Sequence, residues 1–79
     1  MRNIKHGNEE MGKRIKERRK NLHMTQGELA EKIGYKHKSS ISLIERGKTC
    51  LRIPDLFLFA KALNVEPSYI AGIDFLTED

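Results

Sequence analysis

Residues 25–47, TQGELAEKIGYKHKSSISLIERG, carry helix starts and stops so closely spaced that only two short helices fit between them. Thr25-Gln26-Gly27-Glu28 has the form of a capping box: the Thr25 hydroxyl can accept from the Glu28 amide while the Glu28 carboxylate reaches back to the Thr25 amide. A helix therefore starts at Thr25, with Leu29, Ala30 and Ile33 as its apolar stripe. Gly34 ends it, because glycine adopts a positive φ without steric cost. A polar turn, Tyr35-Lys36-His37, leads into a second short helix over residues 38–46, with Ile41 and Ile44 on its inner face and Gly47 as its stop. The opposite face holds Lys38, Ser39, Ser40, Ser42, Leu43 and Arg46, and Ala30 is small where the two helices would cross.

The remainder reads as helix as well. Asn8 is an expected N-cap, followed by Glu9 and Glu10 at the favourable end of the helix dipole. Met11, Ile15 and Leu22 share one face of that helix, and Arg18, Arg19 and Lys20 fall in its last turn. After a connection at 48–52, a fourth helix begins near Pro54 with Leu56, Phe59, Ala60 and Leu63 at i, i+3, i+4, i+7 spacing. A fifth runs from Pro67 to Gly72 and contains Tyr69 and Ile70. No stretch alternates polar and apolar residues over a strand's length. The expectation is an all-α fold, a compact five-helix bundle over residues 8–72, with a polar tail at 1–7 and a second tail at 73–79. Its expected core is Ile15, Leu29, Ile33, Ile41, Ile44, Leu56 and Phe59. At 79 residues that core is small, so a second copy of the chain is a natural source of further stability.

Charge is divided along the chain. Residues 1–52 hold 14 Lys/Arg against 6 Asp/Glu, and residues 53–79 hold 1 against 5. A basic front and an acidic back suit a protein that lays one face on a polyanion. Catalysis has no support: GxxxxGK[ST], GxGxxG and HExxH are all missing, so neither an enzyme nor a bound cofactor is expected. His6, His23, His37 and Cys50 do not have the spacing of a metal site, and no small-molecule site is evident. Cys50 is the single cysteine and has no partner for a disulfide within the chain. No run approaches 18 apolar residues, and the first ten residues lack the apolar segment of a secretory signal, so a cytoplasmic location is expected.

TQxELAxxxG followed by ISxIERG resembles the phage-repressor and Cro-like (XRE) helix-turn-helix family. The resemblance extends from Gly12 to Gly72 through GKRIKERR and AKALNVEPSYIAG, and the ending looks most like the N-terminal domains of temperate-phage or prophage repressors. It implies a lambda-repressor-like bundle, a transcriptional regulator, and sequence-specific binding of double-stranded DNA with the third helix in the major groove. Carried over to this chain, Lys38, Ser39, Ser42 and Leu43 would face base edges, Leu43 through an apolar contact such as a thymine methyl. Gln26, Lys36, His37, Ser40, Lys48 and Arg52 would contact phosphates, Gln26 with help from the amides at the start of its helix. Arg19 and Glu45 match a structural ion pair between the first and third helices. The turn before Ile41 is one residue longer than the family's commonest form, His37 stands where serine is frequent, and Arg18 replaces a frequent leucine. Phe57, Leu58, Ile73, Phe75 and Leu76 exceed the needs of one core stripe; they either close the bundle or, as the resemblance implies, form a homodimer patch, which would go with a near-palindromic operator. A second reading, from a different class, is an antitoxin or adaptor that uses the same fold to hold a partner protein.

Overall fold

The computed structural model describes residues 4–72, with side chains from Asn8 onward. Among the described residues there are five α-helices and no strand: α1 Ile4–Asn21, α2 Gln26–Ile33, α3 Lys38–Glu45, α4 Ile53–Leu63 and α5 Pro67–Ala71. None is long and apolar enough to cross a membrane.

Local chemistry sets most of the helix ends. The capping box at α2 is formed, with the Glu28 amide donating to Thr25 Oγ1 at 3.0 Å and the Thr25 amide donating to Glu28 Oε1 at 2.8 Å. Gly34 ends α2 at φ +86, and the amides of Gly34 and Tyr35 turn back onto the carbonyls of Glu31 and Ala30. His23 and Asn64 close α1 and α4 by the same left-handed turn, at φ +59 and +58.

The first helix differs from expectation. It starts at Ile4, so Asn8 lies one turn inside it and is not its N-cap, and residues 4–7 are helical rather than tail. The physical reason is that residues 4–8 contain no proline, and a helix already nucleated propagates through a single glycine at a cost of about 1 kcal/mol.

The core is one cluster of Ile15, Leu29, Ala30, Ile41, Ile44, Phe59, Ala60, Leu63 and Ile70, drawn from all five helices. Ile33 and Leu56, expected within it, are half-buried and pack against its margin, because one is the last residue of α2 and the other lies in the first turn of α4. α1 crosses α3 at Gly12. A Cβ there would stand 2.4 Å from the Ile44 carbonyl oxygen and 2.6 Å from that of Glu45, so no residue with a side chain allows this crossing distance. The long turn between α2 and α3 is pinned by Tyr35, whose ring meets Phe59 edge-on at 5.8 Å. Burial, then the nearby Asp55 charge, then a hydrogen bond with Asp55 hold the Tyr35 hydroxyl protonated above the ordinary tyrosine range.

Candidate nucleic-acid interface

The inner and outer faces of α3 differ sharply. Ile41, Ile44 and Glu45 are buried, whereas Lys38, Ser39, Leu43 and Arg46 are exposed, with Ser40 and Ser42 half-buried on the flanks. With eight residues, α3 is about 12 Å long. Its exposed face joins cations at the two ends to short hydroxyl side chains between them, and carries one large apolar side chain, Leu43. A protruding helix of this kind fits the major groove of B-form DNA, about 12 Å wide.

What holds α3 in place is a polar cluster beneath it. Arg19 of α1 grips Glu45 through two hydrogen bonds, Nε to Oε2 at 2.6 Å and Nη2 to Oε1 at 3.1 Å, and the side chains are only 9% and 2% exposed. Arg19 Nη1 also donates to the Met24 carbonyl at 2.8 Å, and Gln26 Nε2 donates to Glu45 Oε1 at 3.0 Å. A buried carboxylate therefore binds α1, the start of α2 and the end of α3 together. Among the described residues no buried side-chain nitrogen or oxygen lacks a partner, which a buried ion pair requires if it is not to be destabilising.

Gln26 was expected to face a phosphate. One amide proton is engaged by Glu45, which orients the side chain and leaves the second proton for another acceptor. Gln26, Gly27 and Lys38 line one groove together with Arg19, Met24 and Thr25, so two of the expected contact residues meet at the junction of α2 and α3. A Cβ on Gly27 would find only Thr25 Oγ1, at 3.9 Å, so there is room beside the first turn of α2.

Lys36 and His37 are exposed in the turn before α3. His37 takes the N-cap position with extended backbone and makes no side-chain capping hydrogen bond, so it supplies no side-chain acceptor to the first amides of α3. Despite the long turn and the absent cap, α3 begins at Lys38. Lys48 and Arg52 are exposed in the connection after α3, at the opposite end of the helix from Lys38, and are not part of the Gln26–Lys38 groove. Thus the expected phosphate contacts, Ser40 apart, fall into two groups at the two ends of α3, Gln26, Lys36 and His37 at one and Lys48 and Arg52 at the other.

Arg46 lies on the exposed face one turn beyond Leu43, where the sequence places it, though it is not among the expected contact residues. Arg18 gains a role that sequence reasoning did not assign. Arg18 Nε donates to the Leu63 carbonyl at 2.9 Å, so a cation caps the negative end of α4. Nothing in the local sequence signals a contact between residues 45 positions apart.

On the dimer question, Ile53, Phe57 and Leu58 of α4 are 65%, 55% and 44% exposed. Ile73, Phe75 and Leu76 lie outside the described residues.

A family model described as helix-turn-helix matches residues 15–70. Among solved structures, the fold is similar to that of the restriction-modification controller protein C.AhdI from Aeromonas hydrophila, with a TM-score of 0.74 and 27% sequence identity, over 78% of this chain and 92% of that chain.

Proposed function

This chain belongs to the helix-turn-helix family of DNA-binding regulators, and we propose that it acts there as a sequence-specific repressor that reads the major groove with α3. The observation that carries the reading is the two-sided nature of α3: an inner face locked by Ile41, Ile44 and the Arg19–Glu45–Gln26 cluster, and an outer face bearing Lys38, Ser39, Ser42 and Leu43. In this reading those four residues meet base edges. Gln26 with the start of α2 grips a phosphate on one side, and Lys36, His37, Ser40, Lys48 and Arg52 add contacts along the backbone. The chain works as a homodimer through the apolar surface of α4, which sets two copies of α3 about 34 Å apart on a near-palindromic operator.

The test is selection of bound sequences from a random DNA pool, followed by binding of the selected duplex. Wild-type affinity should fall steeply with salt, since each neutralised phosphate contributes a slope of about −0.9 in log affinity against log salt. Lys38→Ala should keep its helical circular dichroism and lose about tenfold in operator affinity, within the range of about 1–3 kcal/mol for a base contact. Unchanged affinity in that variant would remove Lys38 from the reading set. Failure to retain any DNA at physiological salt, with a stoichiometric protein partner instead, would favour the adaptor reading.

Likeness to a restriction-modification controller favours a second reading of the biological role, control of a restriction-modification system. Locating the selected operator in the genome that carries this chain separates the two. A site ahead of restriction or modification genes supports the controller; a site ahead of phage genes supports the prophage repressor.

A further inference from the structure

We propose that Leu43 makes this protein a reader of the pyrimidine C5-methyl group, so that each half-site contains a methylated pyrimidine and 5-methylcytosine serves that contact as well as thymine does. The inference rests on the reading of α3 as the groove helix and deepens it.

Leu43 is 40% exposed at the middle of the outer face. Among the described residues the other large apolar side chains exposed to solvent belong to α4 and α5, so Leu43 stands alone on its face. Its neighbours toward the start of the helix are Ser39, Ser40 and Ser42, all shorter, and the long side chains lie at the ends, Lys38 before and Arg46 after. Arg46 turns back along the helix, its Nε 3.4 Å from the Ser42 carbonyl oxygen. The side chain that projects farthest at the centre of the face is thus a branched aliphatic one with no hydrogen-bonding atom.

Major-groove edges offer such a group little to bind. N7, O6 and O4 accept, N4 and N6 donate, and desolvating any of them against leucine is unfavourable. The C5-methyl group is the apolar feature of that surface, and burying one methyl-sized group is worth about fourfold in affinity. Thymine and 5-methylcytosine share this methyl and differ at position 4, where one accepts and the other donates. Leucine is blind to that difference, and the flanking serine hydroxyls, which both donate and accept, can meet either base. The face that rejects cytosine for want of a methyl group therefore accepts methylated cytosine, and cytosine methylation strengthens sites that carry it at the Leu43 position.

The experiment uses the wild-type chain and its selected operator duplex. Thymine is replaced by uracil one position at a time, which removes only the methyl group. At each position a C·G pair is compared with a 5-methylcytosine·G pair. At one position per half-site, uracil should weaken binding about fourfold, and about fifteenfold when both half-sites are changed. At that same position the methylated C·G pair should bind about fourfold more tightly than the unmethylated pair. In Leu43→Ala, whose exposed site leaves the core intact and whose fold is checked by circular dichroism, both ratios should fall below about 1.5. Tolerance of uracil within that factor at every position, or equal methyl sensitivity in Leu43→Ala, overturns the proposal. If an operator is selected and Lys38→Ala weakens it while methyl groups prove irrelevant, only the role of Leu43 fails. If no operator emerges, the groove reading falls and this inference with it.

Discussion

The Glu45 side chain is 2% exposed and takes hydrogen bonds from Arg19 and Gln26, and the residue's backbone carbonyl oxygen is pressed against Gly12. Removing its carboxylate strands a guanidinium in the interior, and breaking a buried pair in this way costs about 3–5 kcal/mol. A domain of this size has about 5–15 kcal/mol in total. Glu45→Ala should therefore lower the urea midpoint severely, or leave the chain unfolded in buffer; a loss under about 1 kcal/mol would mean that the pair does not hold α3. Sequence spacing offers no local signal for this pair, whose members are 26 residues apart. It was foreseen only through the family resemblance, and Gln26 as a third member was not foreseen at all. The reason is physical: capping boxes and glycine stops act over a few residues, whereas a buried polar cluster depends on how distant elements meet.

At the scale of elements, the readable ends were those with a local cause. Thr25 and Glu28 start α2, Gly34 and Gly47 supply left-handed turns, and the prolines sit in the first turns of α4 and α5. His23 and Asn64 make the same turn without glycine, a conformation uncommon for other residues, and so leave a weaker trace in sequence. The start of α1 was misread because a plausible cap does not oblige a helix to begin there. Gly12 was missed as a structural position, since close approach of two helices is a property of their crossing. Gly12→Ala should cost about 3 kcal/mol, the upper end of overpacking penalties, because its Cβ meets rigid backbone at 2.4 and 2.6 Å rather than a side chain that can move. Gly27→Ala, where the nearest such atom is at 3.9 Å, is the matched control and should lose nothing. Urea denaturation of the two variants checks both; equal stabilities would mean that α1 and α3 can part without penalty.

At the scale of the whole molecule, the apolar surface of α4 is the feature that the bundle of described residues leaves uncovered. Ile53 and Phe57, one turn apart, are each more than half exposed. If they join two copies, Phe57→Lys should yield a folded monomer by sedimentation equilibrium. Operator binding should then weaken at least tenfold, because each half-site must be found separately. A dimer that survives the change would assign the interface elsewhere.

Two adjacent arginines of α1 also bear on how such a dimer would behave. Arg19 holds α3 through Glu45, and Arg18 holds the end of α4 through the Leu63 carbonyl. α3 and the C-terminal end of α4, the helix whose first half carries the apolar surface, are thus fastened to neighbouring residues of α1. A dimer joined through that surface would behave as a fixed gauge. One extra base pair between half-sites moves the second site by about 3.4 Å and rotates it by about a tenth of a turn. With so little play between the gauge's two jaws, the protein would measure the spacing of its operator as strictly as the bases themselves.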